Sequence, residues 1–230
     1  MTSKTFFNEI EAITADARQQ LEQAPAIERC LNGQVEMQTY QAFLTEAYHH
    51  VKHTVPLLMA CGSRLPERLE WLREAIVHYI EEEVGHQEWI LNDLQSLGVD
   101  KELVRHGKPT LATELMVSYA YDTVVRNNPV SLFGMIYALE KTSSTIATYA
   151  AGQIVSALDL APNAMTYMVS HGSLDVEHMQ DFEKLMNRLE DDGDKAAVLH
   201  AASVFYELYS NIFLALPIAA LCEAENSHAA

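Results

Sequence analysis

The side chains best suited to chemistry in this sequence are carboxylates and imidazoles that recur at helical spacing. They are Glu83, His86, Glu140, His171, Asp175 and His178. Side chains three or four positions apart share one face of an α-helix, so a helix can direct a carboxylate and an imidazole at the same point. Oxygen and nitrogen donors without a thiolate suit iron or manganese better than structural zinc. The pattern therefore predicts a non-haem site for two iron ions, with manganese as the alternative metal, and chemistry with dioxygen.

The late cluster is the most specific part of this pattern. At about 100° per residue, His171, Asp175 and His178 fall within an arc of roughly 60° on one predicted helix. Glu140 ends an apolar run over residues 130–139, where a buried carboxylate would cost several kcal/mol unless it were paired or bound to a metal. Together these two features favour a metal site over ordinary packing.

We assign the donors to two ions. The early pair, Glu83 and His86, holds the first ion with one of the late histidines. Asp175 and the other late histidine hold the second, and Glu140 bridges the two or is shared. Three carboxylates do not neutralise two divalent ions, so oxide or an acidic substrate is expected to complete the charge. Glu82 competes with Glu83 as a ligand, because it lies four residues before His86 and could share its face.

Helical periodicity runs through nearly every long segment, and no stretch alternates convincingly like a β-strand. Proline, glycine and capping residues delimit about seven or eight helices with short connections. We predict helices over about 5–23, a short one ending at 33, one from 39 that kinks at Pro56, one from Pro66 to 98, then 110–127, 130–158, 162–190 and a last one from the 191–194 loop to 223. A short turn follows Asp100. No linker-like or repeated segment divides the chain, which predicts a single all-α domain over residues 1–230.

This spacing resembles the haem-oxygenase-like di-iron oxidases, relatives of the TenA and PqqC proteins that include a fatty acid decarboxylase making terminal alkenes. That family combines Glu-x-x-His, a lone Glu and a late His-x3-Asp-x2-His, which the six residues named above match. Segments 81–89 and 48–58 are also similar to the family, and the resemblance covers about residues 40–185. It implies a haem-oxygenase-like helical bundle, two irons of which the second is loosely held, O2 as co-substrate and an external reductant.

Three relatives of this fold match less well. Haem oxygenase takes its haem ligand from a first-helix histidine, and no histidine precedes His49 here. TenA-type thiaminases use a mid-chain cysteine, and none lies between Cys61 and Cys222. PqqC is cofactor-free and uses basic residues, in which this chain is poor. A cofactor-free TenA- or PqqC-like protein is kept as an alternative function.

A ferritin-like iron-binding or storage bundle is the stronger alternative. In that arrangement Glu46 would be the first ligand, and His171 would not be one. The oxidase interpretation reverses these two roles. We prefer it because His171 shares a helical face with Asp175 and His178.

Substrate contacts are expected from a histidine cluster, His49, His50 and His53, and from aromatic residues such as Tyr137. We predict that His49, His53 and Tyr137 bind the substrate, although the histidines could equally form a polar patch and Tyr137 part of the core. An apolar pocket would favour a fatty acid, and histidines at its mouth would favour an amino acid derivative.

Composition limits the partners to a small-molecule substrate. The chain has 32 acidic and 15 basic residues, a formal charge of -17, which repels nucleic acid and anionic lipid.

The apolar run over 212–222 is too short to span a bilayer. Three scattered cysteines, Cys30, Cys61 and Cys222, predict reduced thiols in a cytoplasmic protein. The apolar last helix predicts either central burial or half of a homodimer interface.

Overall fold

The computed structural model describes residues 5–218, without the side chains of residues 173, 174 and 176. Over this range the chain forms twelve α-helices and no β-strand. The helices are α1 (Phe6–Ile13), α2 (Ala15–Glu22), α3 (Pro25–Leu31), α4 (Met37–Val51), α5 (Thr54–Arg64), α6 (Glu70–Glu83), α7 (His86–Ser96), α8 (Lys101–His106), α9 (Leu111–Arg126), α10 (Leu132–Leu158), α11 (Thr166–Asn187) and α12 (Asp192–Leu214). Short 3₁₀ turns precede α6, α10 and α11, at Glu67–Leu69, Pro129–Ser131 and Pro162–Ala164.

The all-α prediction is confirmed, but the predicted number of helices was wrong. Three predicted helices are each divided in two, and the predicted turn after Asp100 contains α8. Between α4 and α5 the break lies at Lys52 and His53 rather than at Pro56, because a proline ring clashes with the carbonyl group four residues earlier. Between α6 and α7 it lies at Gly85, whose φ of 97° interrupts the helix.

The helix that carries the late cluster, α11, begins at Thr166 rather than at Pro162, where only a 3₁₀ turn forms. The fully buried carboxylate of Asp93 on α7 accepts hydrogen bonds from the backbone N–H groups of Thr166 (3.1 Å) and Tyr167 (2.8 Å). A carboxylate at a helix N-terminus satisfies free N–H groups and complements the helix dipole. Asp93 therefore ties α11 to the helix that begins with His86.

The last helix is buried against its neighbours, as one of the two predicted alternatives has it. Its apolar face packs on α9, α10 and α2. Asp191 caps the helix by accepting a hydrogen bond from the Asp194 backbone N–H, so the expected loop at 191–194 is mostly helical. α12 ends at Leu214, so the helix predicted to reach 223 stops earlier and residues 215–218 are not helical. Residues 219–223, which include Cys222, lie outside the described residues. In the described part of the chain, no helix has both the length and the apolar character needed to cross a membrane.

Close backbone contacts fix the helices that carry the predicted donors. α10 packs between α11 and α12. A Cβ atom on Gly134 of α10 would lie 2.5 Å from the backbone nitrogen of Ala202 on α12, and one on Gly172 of α11 would lie 2.7 Å from Thr148 Oγ1 on α10. Glycine at these two positions lets the three helices approach closely. This packing sets the position of the late cluster relative to Glu140.

Candidate metal centre

The early pair lies at the junction of α6 and α7 rather than on one helix, so its expected placement within a single helix was wrong. Glu83 is the last residue of α6 and His86 is the first of α7, with Gly85 in a left-handed conformation between them. The two side chains still meet, because Glu83 Oε2 lies 3.2 Å from His86 Nδ1. A Cβ atom on Gly85 would meet nothing within 4 Å, so the positive φ alone requires glycine there.

A first group of donors combines this pair with a residue of α11. Glu83, His86 and His171 each place one donor atom within 4.8 Å of the others. The two imidazole rings lie edge to face, with centroids 4.8 Å apart and an interplanar angle of 84°. Glu83 and His86 are buried and His171 is nearly so. Three converging nitrogen and oxygen donors of this kind would supply part of the coordination sphere of one metal ion.

A second group joins α10 to α11. Glu140, Asp175 and His178 also place donor atoms within 4.8 Å of one another. His178 Nδ1 lies 3.5 Å from both Glu140 Oε1 and Asp175 Oδ1. Asp175 Oδ1 lies 3.5 Å from His171 Nδ1 as well, so it connects the second group to the first. All six predicted donors therefore meet in one region of the bundle.

Most of these buried donors lack hydrogen bonds. Among the described residues, the buried atoms without a partner include His86 Nδ1, His171 Nε2, Glu140 Oε2, Asp175 Oδ1 and both ring nitrogens of His178. Burying a polar atom without a partner costs about 1–3 kcal/mol, and native proteins rarely leave several together. Two cations would satisfy this set. The residues therefore fit a pair of metal ions.

The electrostatics of the second group also favour positive charge. Burial raises the pKa of Glu140 to about 8, against the opposing effect of His178. Asp175 and then Glu140 raise the pKa of His178 to about 11, against burial. Burial also acts against the charged form of Asp175, but His171 and His178 outweigh it and lower the carboxyl pKa. Without a metal, Glu140 and His178 thus both carry protons at neutral pH, and a divalent cation would take the place of those protons.

Glu46, the residue on which the ferritin-like alternative depends, is engaged elsewhere. Its buried carboxylate accepts hydrogen bonds from the backbone N–H and hydroxyl of Thr110 and from the Thr113 hydroxyl, at the start of α9. It belongs to neither donor group. Glu46 therefore caps α9, whereas His171 lies among the donors.

The side chains of Glu82 and Glu83 point to different donor groups. The sequence alone could not decide which of the two lies beside His86. Glu83 joins the first group. Glu82 Oε2 lies 3.1 Å from His178 Nε2, on the side of that ring away from Glu140. About a third of the Glu82 side chain is exposed. Neighbouring residues on a helix point about 100° apart, which explains the division.

The predicted substrate-binding residues make contacts with other parts of the chain. His49 Nδ1 lies 3.1 Å from Lys52 Nζ, and His53 Nδ1 lies 3.1 Å from the Tyr121 hydroxyl. The Tyr137 hydroxyl accepts a hydrogen bond of 2.6 Å from Arg18. None of the three predicted residues is among those that line the three cavities beside the donors. Their role in substrate binding stays a prediction without support from these contacts.

His50 faces the donors instead; the sequence placed it in the same histidine cluster, but it was not among the three residues predicted to bind the substrate. It lines a cavity, here called the metal cavity, together with Glu83, Glu140, His171 and Asp175. Burial, followed by the nearby charge of His171, lowers the pKa of His50 to about 3, so the ring is neutral. His49 and His50 are both buried residues of α4, and the way α4 packs on its neighbours decides which of the two reaches the donors.

A second and larger cavity adjoins the metal cavity. This apolar cavity has an empty volume of about 910 Å³, part of it open to solvent. Both cavities are bounded by Ser143, Tyr167, His171 and Tyr209. The apolar cavity also follows one face of α10, past Ala147, Ala150 and Ile154. A molecule in it would have one end beside His171.

The fold is similar to that of several solved structures. A domain of unknown function with a heme oxygenase-like fold from Shewanella denitrificans is 27% identical, with a TM-score of 0.78 over 90% of this chain and 89% of that one. A TenA homolog from Pseudomonas syringae pv. tomato is 13% identical, with a TM-score of 0.76 over 91% and 90%. The heme oxygenase from Leptospira interrogans is 17% identical, with a TM-score of 0.73 over 92% and 100%. The last two likenesses show the fold alone.

Sequence comparison adds a family. No curated protein matches the chain. The family model described as iron-containing redox enzyme matches residues 41–210, which include both donor groups. The resemblance found in the sequence is thereby confirmed at the level of the superfamily. The chain belongs to the iron-containing redox enzyme family and has the haem oxygenase-like fold.

Proposed function

We propose that this protein binds two iron ions and uses dioxygen to oxidise a small organic acid with an apolar chain. The observation that carries the proposal is the convergence of two donor groups in which five of the six residues have buried atoms without hydrogen bonds. Glu83, His86 and His171 would hold one ion. Glu140, Asp175 and His178 would hold the other, with manganese as an alternative metal. Bound iron would supply Lewis acidity and redox chemistry with dioxygen.

The electron balance calls for a reductant. Reducing dioxygen to water takes four electrons, of which a two-electron oxidation of the substrate supplies half. We therefore propose that an external reductant supplies the other half. The chain's own contribution is to bind, orient and exclude water.

The walls of the metal cavity are suited to that contribution. His50 stays neutral, and its ring lies edge-on to Tyr209, with centroids 6.0 Å apart. Tyr167 packs on His171, with ring centroids 4.7 Å apart. These rings restrict water around the donors and hold His171 in place. The rings of Tyr167, His171 and Tyr209 also line the apolar cavity, so they would border a passage between the two cavities.

The apolar cavity favours a fatty acid over an amino acid derivative. Ser143, Ala147, Ala150 and Ile154 follow one another along a single face of α10, a stripe about 16 Å long at 1.5 Å per residue. Arg29 also lines this cavity, but Glu36 pairs with it at 2.7 Å. An extended hydrocarbon chain suits such walls, with its oxidisable end towards Ser143 and His171.

Two alternatives are weaker. A ferritin-like storage protein would use Glu46, which is bound to Thr110 and Thr113. A cofactor-free TenA-like protein is favoured by the fold, as its likeness to a TenA homolog illustrates. That function gives no reason to bring six metal-type donors together, five of them with buried atoms that lack hydrogen bonds.

The test is to load the metal-free protein with ferrous iron under anaerobic conditions and then add dioxygen with fatty acids of graded chain length. We expect two irons per chain, a transient visible absorbance that a suitable acid removes faster, and an oxidised product by mass spectrometry. The His171→Ala variant should lose this response, and variant His200→Ala, at an exposed position of α12, should keep it. Iron uptake with no substrate-dependent change would favour storage. No iron uptake would contradict the proposal.

A further inference from the structure

Glu82 lies beside the second donor group, and the two-metal arrangement gives it no role. Its Oε2 atom is 3.1 Å from His178 Nε2, and its Oε1 atom is 3.4 Å from Nε2 of His78, an exposed residue one turn earlier on α6. The carboxylate thus stands between the surface and a buried imidazole. A carboxylate that faced only solvent at the end of a helix would not contact a buried imidazole.

His178 is held between carboxylates on its two sides. Its Nδ1 atom faces Glu140 and Asp175, each at 3.5 Å, and its Nε2 atom faces Glu82. The ring of Tyr79 contacts the imidazole edge to face, with centroids 5.8 Å apart. Neither ring nitrogen makes a well-aligned hydrogen bond, so ionic contacts and packing hold the ring in this structure. The direction of each nitrogen is nevertheless defined.

We propose that Glu82 is the positioning residue of the second metal group, accepting the Nε2–H of His178 so that the Nδ1 lone pair is free for a cation held with Glu140 and Asp175. An imidazole that binds a metal through one nitrogen carries its proton on the other, and an acceptor there fixes both the tautomer and the ring orientation. This inference rests on the proposed two-metal function.

The position of Glu82 distinguishes this role from that of a ligand. It approaches His178 from the side opposite to Glu140 and Asp175. Its second oxygen is turned towards His78, whose side chain is two-thirds exposed. A cation on the Nδ1 side of the ring is therefore out of reach of Glu82. Removing such an outer carboxylate typically lowers metal affinity 10–100-fold.

The test is a titration of the metal-free protein with Mn²⁺, followed by electron paramagnetic resonance and calorimetry. We expect wild type to bind two ions. In Glu82→Ala, the ion at the second donor group should bind about 10–100-fold more weakly, and the affinity of the first donor group should not change. Glu82→Gln should restore part of the loss, because its amide oxygen can still accept the Nε2–H. The matched control His78→Ala removes the outer neighbour of Glu82 and should leave both affinities unchanged.

The outcomes separate this inference from the function on which it rests. If Glu82→Ala binds both ions as tightly as wild type does, the positioning role is overturned and the two-metal proposal stands. The positioning role would also be overturned if Glu82→Ala weakened the binding of both ions equally, or if Glu82→Gln restored none of the lost affinity. A wild-type protein that binds no Mn²⁺ or Fe²⁺ would overturn both. If Glu82→Ala does not fold by circular dichroism, the near-isosteric Gln variant alone decides, since it should then weaken only the second ion.

Discussion

Glu83 and His86 are in contact across a break between two helices. Glu83 ends α6, His86 begins α7, and Glu83 Oε2 lies 3.2 Å from His86 Nδ1. In a continuous helix these residues would be offset along one axis. The left-handed conformation of Gly85 instead lets His86 turn towards His171 on α11. The first donor group therefore depends on a glycine that contributes no donor.

Replacing Gly85 with Ala should destabilise the protein and weaken metal binding by the first group. The added methyl meets open space, so the cost is the backbone strain of a φ of 97°, about 1–2 kcal/mol. Urea unfolding measures the loss of stability, and Mn²⁺ titration measures the affinity. Gly152→Ala is the matched control, because Gly152 lies within α10 and is equally uncrowded. There we expect a gain of up to about 1 kcal/mol. Equal effects in the two variants would contradict the role given to Gly85.

Removing the Glu46 carboxylate should reduce stability without reducing metal content. Glu46→Ala leaves the Thr110 backbone N–H and the Thr113 hydroxyl without their acceptor, at a cost of about 2 kcal/mol or more. We expect a lower urea midpoint and unchanged iron stoichiometry, whereas His171→Ala should lose iron. Glu114→Ala, at an exposed acidic residue of the same helix α9, serves as the control for stability. Iron loss in Glu46→Ala with full retention in His171→Ala would instead support a ferritin-like site.

In the metal-free protein, His50 should contribute a loss of stability in mild acid, opposite in sign to the contribution of Glu140, whose pKa burial raises to about 8. Burial, with the nearby charge of His171, lowers the folded-state pKa of His50 to about 3 from an ordinary value of 6.5. Between these values the unfolded chain binds a proton that the folded protein excludes. The free energy of unfolding therefore falls as the pH is lowered, by at most about 1.4 kcal/mol per pH unit from this residue.

The measurement is urea unfolding of wild type and His50→Gln across this pH range. As the pH is lowered, the free energy of unfolding of wild type should fall relative to that of the variant, because glutamine does not titrate. His171 on α11 and Tyr209 on α12 face the ring in both proteins, so their contributions largely cancel in the comparison. Variant His200→Gln, at an exposed site, should follow wild type. Parallel curves for wild type and His50→Gln would show that His50 titrates normally.

Narrowing the apolar cavity should change chain-length preference if that cavity holds the substrate. Ala150 lines it on α10, about 15 Å along the helix from Glu140 at 1.5 Å per residue. We expect Ala150→Leu to raise KM for long fatty acids several-fold and to leave short ones nearly unchanged. The short acids serve as the internal control for folding and metal loading. A uniform change at all chain lengths would place the substrate elsewhere.

The residue types and spacing of the donors could be predicted from the sequence, because they depend on local helical geometry. Glu140 stood out as a carboxylate within an apolar run, and His171, Asp175 and His178 share one face of a helix. The fold class followed from the same periodicity. Whether these residues bind metal stays a prediction.

Other features depend on contacts between distant segments and could not be predicted. The partners of Glu46 lie 64 and 67 residues away, at the start of α9. Glu82 and Glu83 differ only in the direction each takes at the end of α6. His50 reaches the metal cavity because of how α4 packs against the rest of the bundle, which a local pattern does not show. Gly85 could have indicated a helix break between Glu83 and His86, but a sequence does not show the sign of φ at a glycine.

The central claim is that two ions bind between three segments of the bundle. The most direct test is anomalous X-ray scattering at the iron edge, from crystals of the protein loaded with ferrous iron without oxygen. The account predicts two peaks in each chain, one among Glu83, His86 and His171 and one among Glu140, Asp175 and His178. Loaded crystals with no peak in either group, or with iron bound beside Glu46, would contradict it.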